Sequence, residues 1–220
     1  LDQSKKLDAY LARPDANASG LGPALGWAKR GWPDWPLYQP IAEAVFRAGL
    51  PLLPGDPSRA KIRSVSSHGL DTLEGLERKR LALDRPLPPK LGVALSQDIK
   101  QSHCDLLPQA ALGPMTQVQR YRDAGLASAL VKAGAGRGAI LIAGNGHVRS
   151  DRGVPWYLAR QAAGVKISSV MLVEITERAR TVGELAITGP DGEPAADYFW
   201  FTPRAECEDQ CEKLRRRFGK

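Results

Sequence analysis

The apolar run Ala139-Ile140-Leu141-Ile142-Ala143, closed by Gly144-Asn145-Gly146-His147-Val148-Arg149, constrains this chain more than any other stretch. A run without polar alternation reads as a strand buried on both faces, the pattern of parallel strands in α/β proteins. Two glycines then allow a sharp turn and a close approach of backbone to a ligand. His147 and Arg149 are therefore expected just past the carboxyl end of a central strand, where open α/β sheets place their sites. A tight strand-to-helix turn that merely carries polar residues is the plainer alternative.

The rest of the chain supports an α/β order. Leu1 to Ala12 reads as a helix closed by Arg13-Pro14-Asp15, and Asn17 to Gly26 as loop or loose helix. Leu37, Ile41, Val45 and Ala48 recur at helical spacing, and Leu50 to Leu53 reads as a short strand. Helices are expected over Ser58 to Lys79, the second capped by Asp71 with Glu74 three residues on. Leu81 to Lys90 is irregular because Pro86, Pro88 and Pro89 forbid a helix interior. A short helix over Leu91 to Lys100 and a long one over Gln117 to Ala133 follow. Val154 or Pro155 opens another helix, proline standing early where its missing N–H costs nothing. Ile167 to Ile175 and Tyr198 to Thr202 read as strands, and Cys207 to Phe218 as a basic helix. The fold class expected is one α/β domain over residues 1–220, a short, largely parallel central sheet surrounded by many helices.

The segment Gly144 to Pro155 resembles the signature of the ChaN-like haem-binding uptake proteins, in the Tiki and erythromycin-esterase-like superfamily. The resemblance extends to Arg30-Gly31-Trp32-Pro33-Asp34-Trp35-Pro36-Leu37-Tyr38, Ser102 to Pro108, Gln119-Arg120-Tyr121-Arg122-Asp123-Ala124 and Trp200 to Arg204. These blocks keep one order through most of the chain. The family usually opens with a strand and a Gly-Glu-x-His-Asp-like turn, which this sequence does not contain. With no initiator Met and no signal h-region, the expectation is that the first part of the domain is missing.

What the resemblance implies is a haem-binding protein of bacterial iron or haem acquisition, a binding protein more than an enzyme. It implies a periplasmic or outer-membrane-associated lipoprotein, anchored by a lipid outside these residues. It further implies a homodimer on haem binding, with an outer-membrane haem receptor as a possible partner. Haem binding needs an axial ligand, apolar or aromatic surface for the ring and cations for the propionates. His147 is the first candidate, for haem iron or for another metal, with Tyr121 and Tyr157 as phenolate alternatives that read equally as packing residues. Arg149 and Arg152 are candidate bidentate partners of the propionates, Arg149 the better one, being two residues from His147. His103 stands in a second marked turn and is expected to share a cleft with His147, whereas His68 reads as surface. Trp156, Trp32 and Trp35 offer ring-stacking surfaces.

The rival class is a metal-dependent hydrolase of the Tiki or erythromycin-esterase-like type, built on His147, His103 and Asp151. No Gly-x-Ser-x-Gly elbow and no His-Glu-x-x-His helix is present. An interaction protein using the Trp32 to Tyr38 loop is the third class. A net charge of +7 raises nucleic acid as a partner. Yet basic residues are dispersed, apart from Arg78-Lys79-Arg80 and the tail Lys213 to Lys220, and aromatics are not interleaved with them. A solvated basic surface explains the charge, and no nucleic-acid partner is expected. Three cysteines, Cys104, Cys207 and Cys211, allow one disulfide and one free thiol, with the pairing open.

Overall fold

The computed structural model describes residues 3–175, 181–204 and 209–218. Contacts divide the chain into two compact units, Leu1–Arg59 and Ala60–Lys220, where the sequence pattern predicts one domain. In the first, α1 (Ser4–Leu11), α2 (Ala18–Ala24) and α3 (Gln39–Arg47) enclose a small core of Leu7, Tyr10, Ala18, Leu21 and Ala42. Asn17 caps α2 by accepting from the Gly20 N–H at 3.0 Å. The Tyr10 hydroxyl donates to the Asn17 carbonyl at 2.9 Å and ties that cap to α1. Leu50 to Leu53, expected as a strand, has no strand structure; Leu50 and Leu53 are exposed, and a short apolar run has no ladder without a neighbour.

The second unit holds α4 (Arg59–His68, from Ala60 on), α5 (Gly75–Arg80), α6 (Pro89–Ser102) and α7 (Gln109–Ala133). They are followed by α8 (Asn145–Val148), α9 (Val154–Gln161), α10 (Val182–Leu185) and α11 (Gln210–Phe218). Asp71 does not cap α5 as expected: it lies in a 3-10 turn, Leu70–Thr72, and pairs with Arg78. Helix α7 begins eight residues earlier than the expected Gln117, since Pro114 removes only its own N–H donor from the ladder and the helix runs on through it. Its small residues Ala124 and Ala127 are fully enclosed against Val154, Tyr157 and Leu158 of α9, and this seam is the centre of the core.

Among the described residues the sheet has two parallel strands, β1 (Val170–Glu174) and β2 (Tyr198–Thr202), in register from Val170 opposite Tyr198 to Glu174 opposite Thr202. Met171, Val173 and Phe199 turn inward onto Ala195 and Ala196. The fold is thus helix-rich with a small parallel sheet, the class the sequence implies. The central strand expected at Ala139 to Ala143 is a correction. This run has no strand assignment, and Ile140 and Ile142 are 86% and 60% exposed, not buried on both faces. It pairs with no strand among the described residues, and an unpaired apolar run cannot bury both faces. Cys104 is joined to Cys211 with a Cα–Cα distance of 5.4 Å, which closes the pairing the sequence left open; Cys207 lies outside the described residues.

The α7–α9 seam makes a prediction. Ala127→Leu inserts three carbons where no space is left and should cost about 1–3 kcal/mol, read as a lowered urea midpoint. An unchanged midpoint would contradict the close packing described.

Candidate functional site

The chain between Gly144 and Gly153 is a compact knot docked onto the sheet. The Asn145 side-chain amide donates to the Leu172 carbonyl at 2.6 Å, and the Ser150 N–H donates to the Ala195 carbonyl at 2.7 Å. Gly153 closes the knot by packing under it. A Cβ there would lie 2.4 Å from the His147 carbonyl oxygen and 2.8 Å from that of Arg149, both rigid backbone atoms. Only glycine fits. Gly144 and Gly146, by contrast, face open space where a side chain would stand. The loop beside His147 is therefore accessible at backbone level.

His147 is anchored from below by the long helix. Its Nδ1 lies 2.5 Å from Oδ1 of Asp123, a carboxylate only 1% exposed on α7. Gln119, one turn earlier, reaches the same carboxylate with Nε2 at 3.3 and 3.4 Å and lies 3.0 Å from Nδ1. A proton on Nδ1 would have the carboxylate as its strongest acceptor in reach. Burial pushes the Asp123 carboxyl above its ordinary value, and the hydrogen bonds from His147 and Gln119 act against that rise. The other ring nitrogen, Nε2, has no partner among the described residues and is not enclosed. With a proton on Nδ1, Nε2 would present its lone pair outward from this mount.

The two arginines of the knot are engaged in its own structure. Arg149 donates through Nε and Nη2 to both carboxylate oxygens of Asp151 at 3.0 Å, and from Nη2 to the Thr188 carbonyl at 3.1 Å. Arg152, buried, bridges Asp151 and Asp98 of α6. The buried charges of Arg149, Asp151 and Arg152 satisfy one another, with Asp98 joining from a half-exposed position. Arg149, expected at a propionate, has its guanidinium committed to Asp151 and Thr188 in this arrangement.

Tyr157 is 0% exposed and its hydroxyl accepts from Arg120 Nε at 3.1 Å. Burial pushes its phenol up to about 12. Tyr121 is also buried, and desolvation raises its phenol too. Both expected phenolate candidates are enclosed in the α7–α9 packing. His103 follows the end of α6, its Nδ1 bonded to the Ile99 carbonyl at 2.7 Å, and among the described residues no hydrogen bond or ion pair links it to His147. Trp156 carries Arg160 over its ring at 3.4 Å, while Trp32 and Trp35 belong to an aromatic group around Trp27 in the first unit. The described residues bring together no group of three or more His, Cys, Asp or Glu side chains of the kind that holds a metal ion. The resemblance marks the block Gln119 to Ala124, but sequence reasoning gives Asp123 and Gln119 no role in it. The available signal was their i, i+4 spacing beside an otherwise small and apolar stretch, Ala124-Gly125-Leu126-Ala127.

The knot and its carboxylate–histidine mount are carried on a helix-rich α/β framework. The family described as haem-binding uptake, Tiki superfamily, ChaN matches residues 1–158, and the chain belongs to that family. Among solved structures it is similar to one described as "Cofacial heme binding to ChaN of Campylobacter jejuni". The two share 23% identity and a TM-score of 0.60, over 78% of this chain and 63% of that one. The chain thus spans less than two thirds of that relative's length. No curated protein matches it.

Tyr157 supplies a pH test. A phenol whose folded value lies near 12 against about 10 when unfolded stabilises the fold fully below about pH 10. That contribution is lost as pH rises from about 10 to about 12. Chemical denaturation across that range should therefore show Tyr157→Phe losing less stability than the parent. Parallel alkaline losses in the two proteins would contradict the enclosure of the phenol.

Proposed function

We propose that this protein binds ferric haem for uptake and that His147 is its axial ligand. One observation carries the reading: in a member of the haem-binding uptake family, an imidazole is held by a buried carboxylate with Nε2 free beside two open glycines. The donor set suits the group. A neutral imidazole nitrogen is a common haem-iron ligand, and Ile140 and Ile142, exposed on alternate positions leading into the loop, offer apolar surface to a porphyrin face. Bound haem would supply iron as cargo; the chain's own work is to hold it, orient it and keep one ring edge from water. With Arg149 and Arg152 engaged by carboxylates, propionate charge has to be met elsewhere than in the knot.

Its setting is proposed as bacterial haem or iron acquisition outside the cytoplasm, at the outer membrane or in the periplasm, with a lipid anchor and a receptor as partners. The Cys104–Cys211 disulfide supports an oxidising compartment. Among the described residues no helix is long and apolar enough to cross a membrane. Cofacial haem binding, described for the similar Campylobacter jejuni structure, supports a homodimer that forms as haem binds.

Titration with ferric haem, followed at the Soret band and by size-exclusion chromatography, tests this. The parent protein should give a saturable, shifted band and a larger species. His147→Ala should weaken binding about tenfold or more, equivalent to at least about 1.4 kcal/mol. A parent spectrum equal to that of haem in buffer would refute the function; tight binding unchanged in His147→Ala would refute the ligand.

A further inference from the structure

Haem ligation by His147 leaves one group unexplained. Asp123 is a carboxylate enclosed on the inner side of α7, 24 residues from His147 in sequence, in a core otherwise made of alanine, leucine, valine and tyrosine. Burying a charge there is costly, and an apolar residue of similar volume would pack at least as well. Its contacts are directed at one target. One carboxylate oxygen meets His147 Nδ1 at 2.5 Å, and Gln119 donates to both oxygens from the side. From neighbouring elements the groups that approach this pair are Arg122 of α7 and the Tyr157 hydroxyl of α9, itself held by Arg120.

We infer that Asp123 is a positioning residue for the iron-binding imidazole, with Gln119 as its brace: it fixes the proton on Nδ1 and the ring plane, so that Nε2 meets the iron as an oriented and electron-rich donor. This rests on the ligand role proposed for His147. The physical reason is the one that governs metal-bound histidines generally. A ring N–H given to a carboxylate selects the tautomer and increases the basicity of the opposite nitrogen, and removing that partner costs about 10–100-fold in affinity. A richer donor also favours ferric over ferrous iron, so the pair lowers the reduction potential of the bound group. A protein that holds ferric haem through changes of redox poise gains from that bias. A lone histidine on a glycine-flanked loop, with no Asp123 beneath it, would divide between two tautomers and several ring orientations.

The test has two arms on the full chain. In haem-free protein, 15N NMR of labelled histidine reads the His147 tautomer directly. Nδ1–H is expected in the parent, with a shift toward Nε2–H in Asp123→Asn; an Nε2–H parent overturns the inference. In haem-loaded protein, Asp123→Asn should raise the reduction potential and weaken haem binding about 10–100-fold, with Gln119→Ala moving both less. The Asn side chain has nearly the volume of Asp, and circular dichroism confirms the fold; should Asp123→Asn not fold, the parent tautomer and the Gln119→Ala potential decide. A potential unchanged in Asp123→Asn overturns the inference while the ligand stands. If instead His147→Ala leaves the haem spectrum untouched, the ligand reading fails and the positioning role falls with it, whatever the tautomer shows.

Discussion

A carboxyl group enclosed in a protein core must find hydrogen-bond partners, and Asp123 meets that demand through His147 and Gln119. The consequence reaches well beyond the pair. Because Asp123 stands mid-way along α7, its bond to His147 pins the Gly144 to Gly153 knot to the longest helix among the described residues. The same helix packs through Ala124 and Ala127 onto α9, which begins where the knot ends. One polar contact and one apolar seam therefore hold the knot from two sides, and the loop that presents His147 is braced on both.

The knot shows how a signature rich in charged residues divides its labour. Arg149, Asp151 and Arg152 join one another, Asp98 on α6 and the Thr188 carbonyl, so three of its charges serve to fold it. Gly153 is required because the backbone of His147 and Arg149 passes where its side chain would be. The part of the knot proposed to meet a ligand is Nε2 of His147, flanked by Gly144 and Gly146. In that reading one imidazole edge carries the binding, and the rest of the segment keeps that edge in place.

The knot is legible in the sequence because glycines, a histidine and an early proline coincide at the end of an apolar run. Strands β1 and β2, the long helix and the proline at the start of α9 are legible for the same reason: local pattern decides them. Asp123 is not, since an aspartate on a helix normally marks the wet face, and only tertiary packing reveals that this one points at His147 across 24 residues. For Arg152 a pairing with a nearby carboxylate is legible, since Asp151 is its neighbour in sequence, whereas Asp98 stands on another helix; Arg149 reads as a propionate partner from its closeness to His147 alone. Tyr121 and Tyr157 qualify as ligand candidates by residue type, a property that says nothing of the alanine-lined seam enclosing them. The run at Ala139 to Ala143 shows the limit of hydrophobicity as a guide: it specifies a preference for burial, and a ladder needs a neighbour as well.

The central claim is that iron in bound haem meets the Nε2 atom of His147. Resonance Raman spectroscopy of the ferrous haem complex, with histidine labelled by 15N, addresses that bond itself. An iron–histidine stretching band that shifts on labelling, and is absent from His147→Ala, is the result the account predicts. Haem held firmly with no isotope-sensitive iron–histidine band, or with a band that survives the loss of His147, would contradict it.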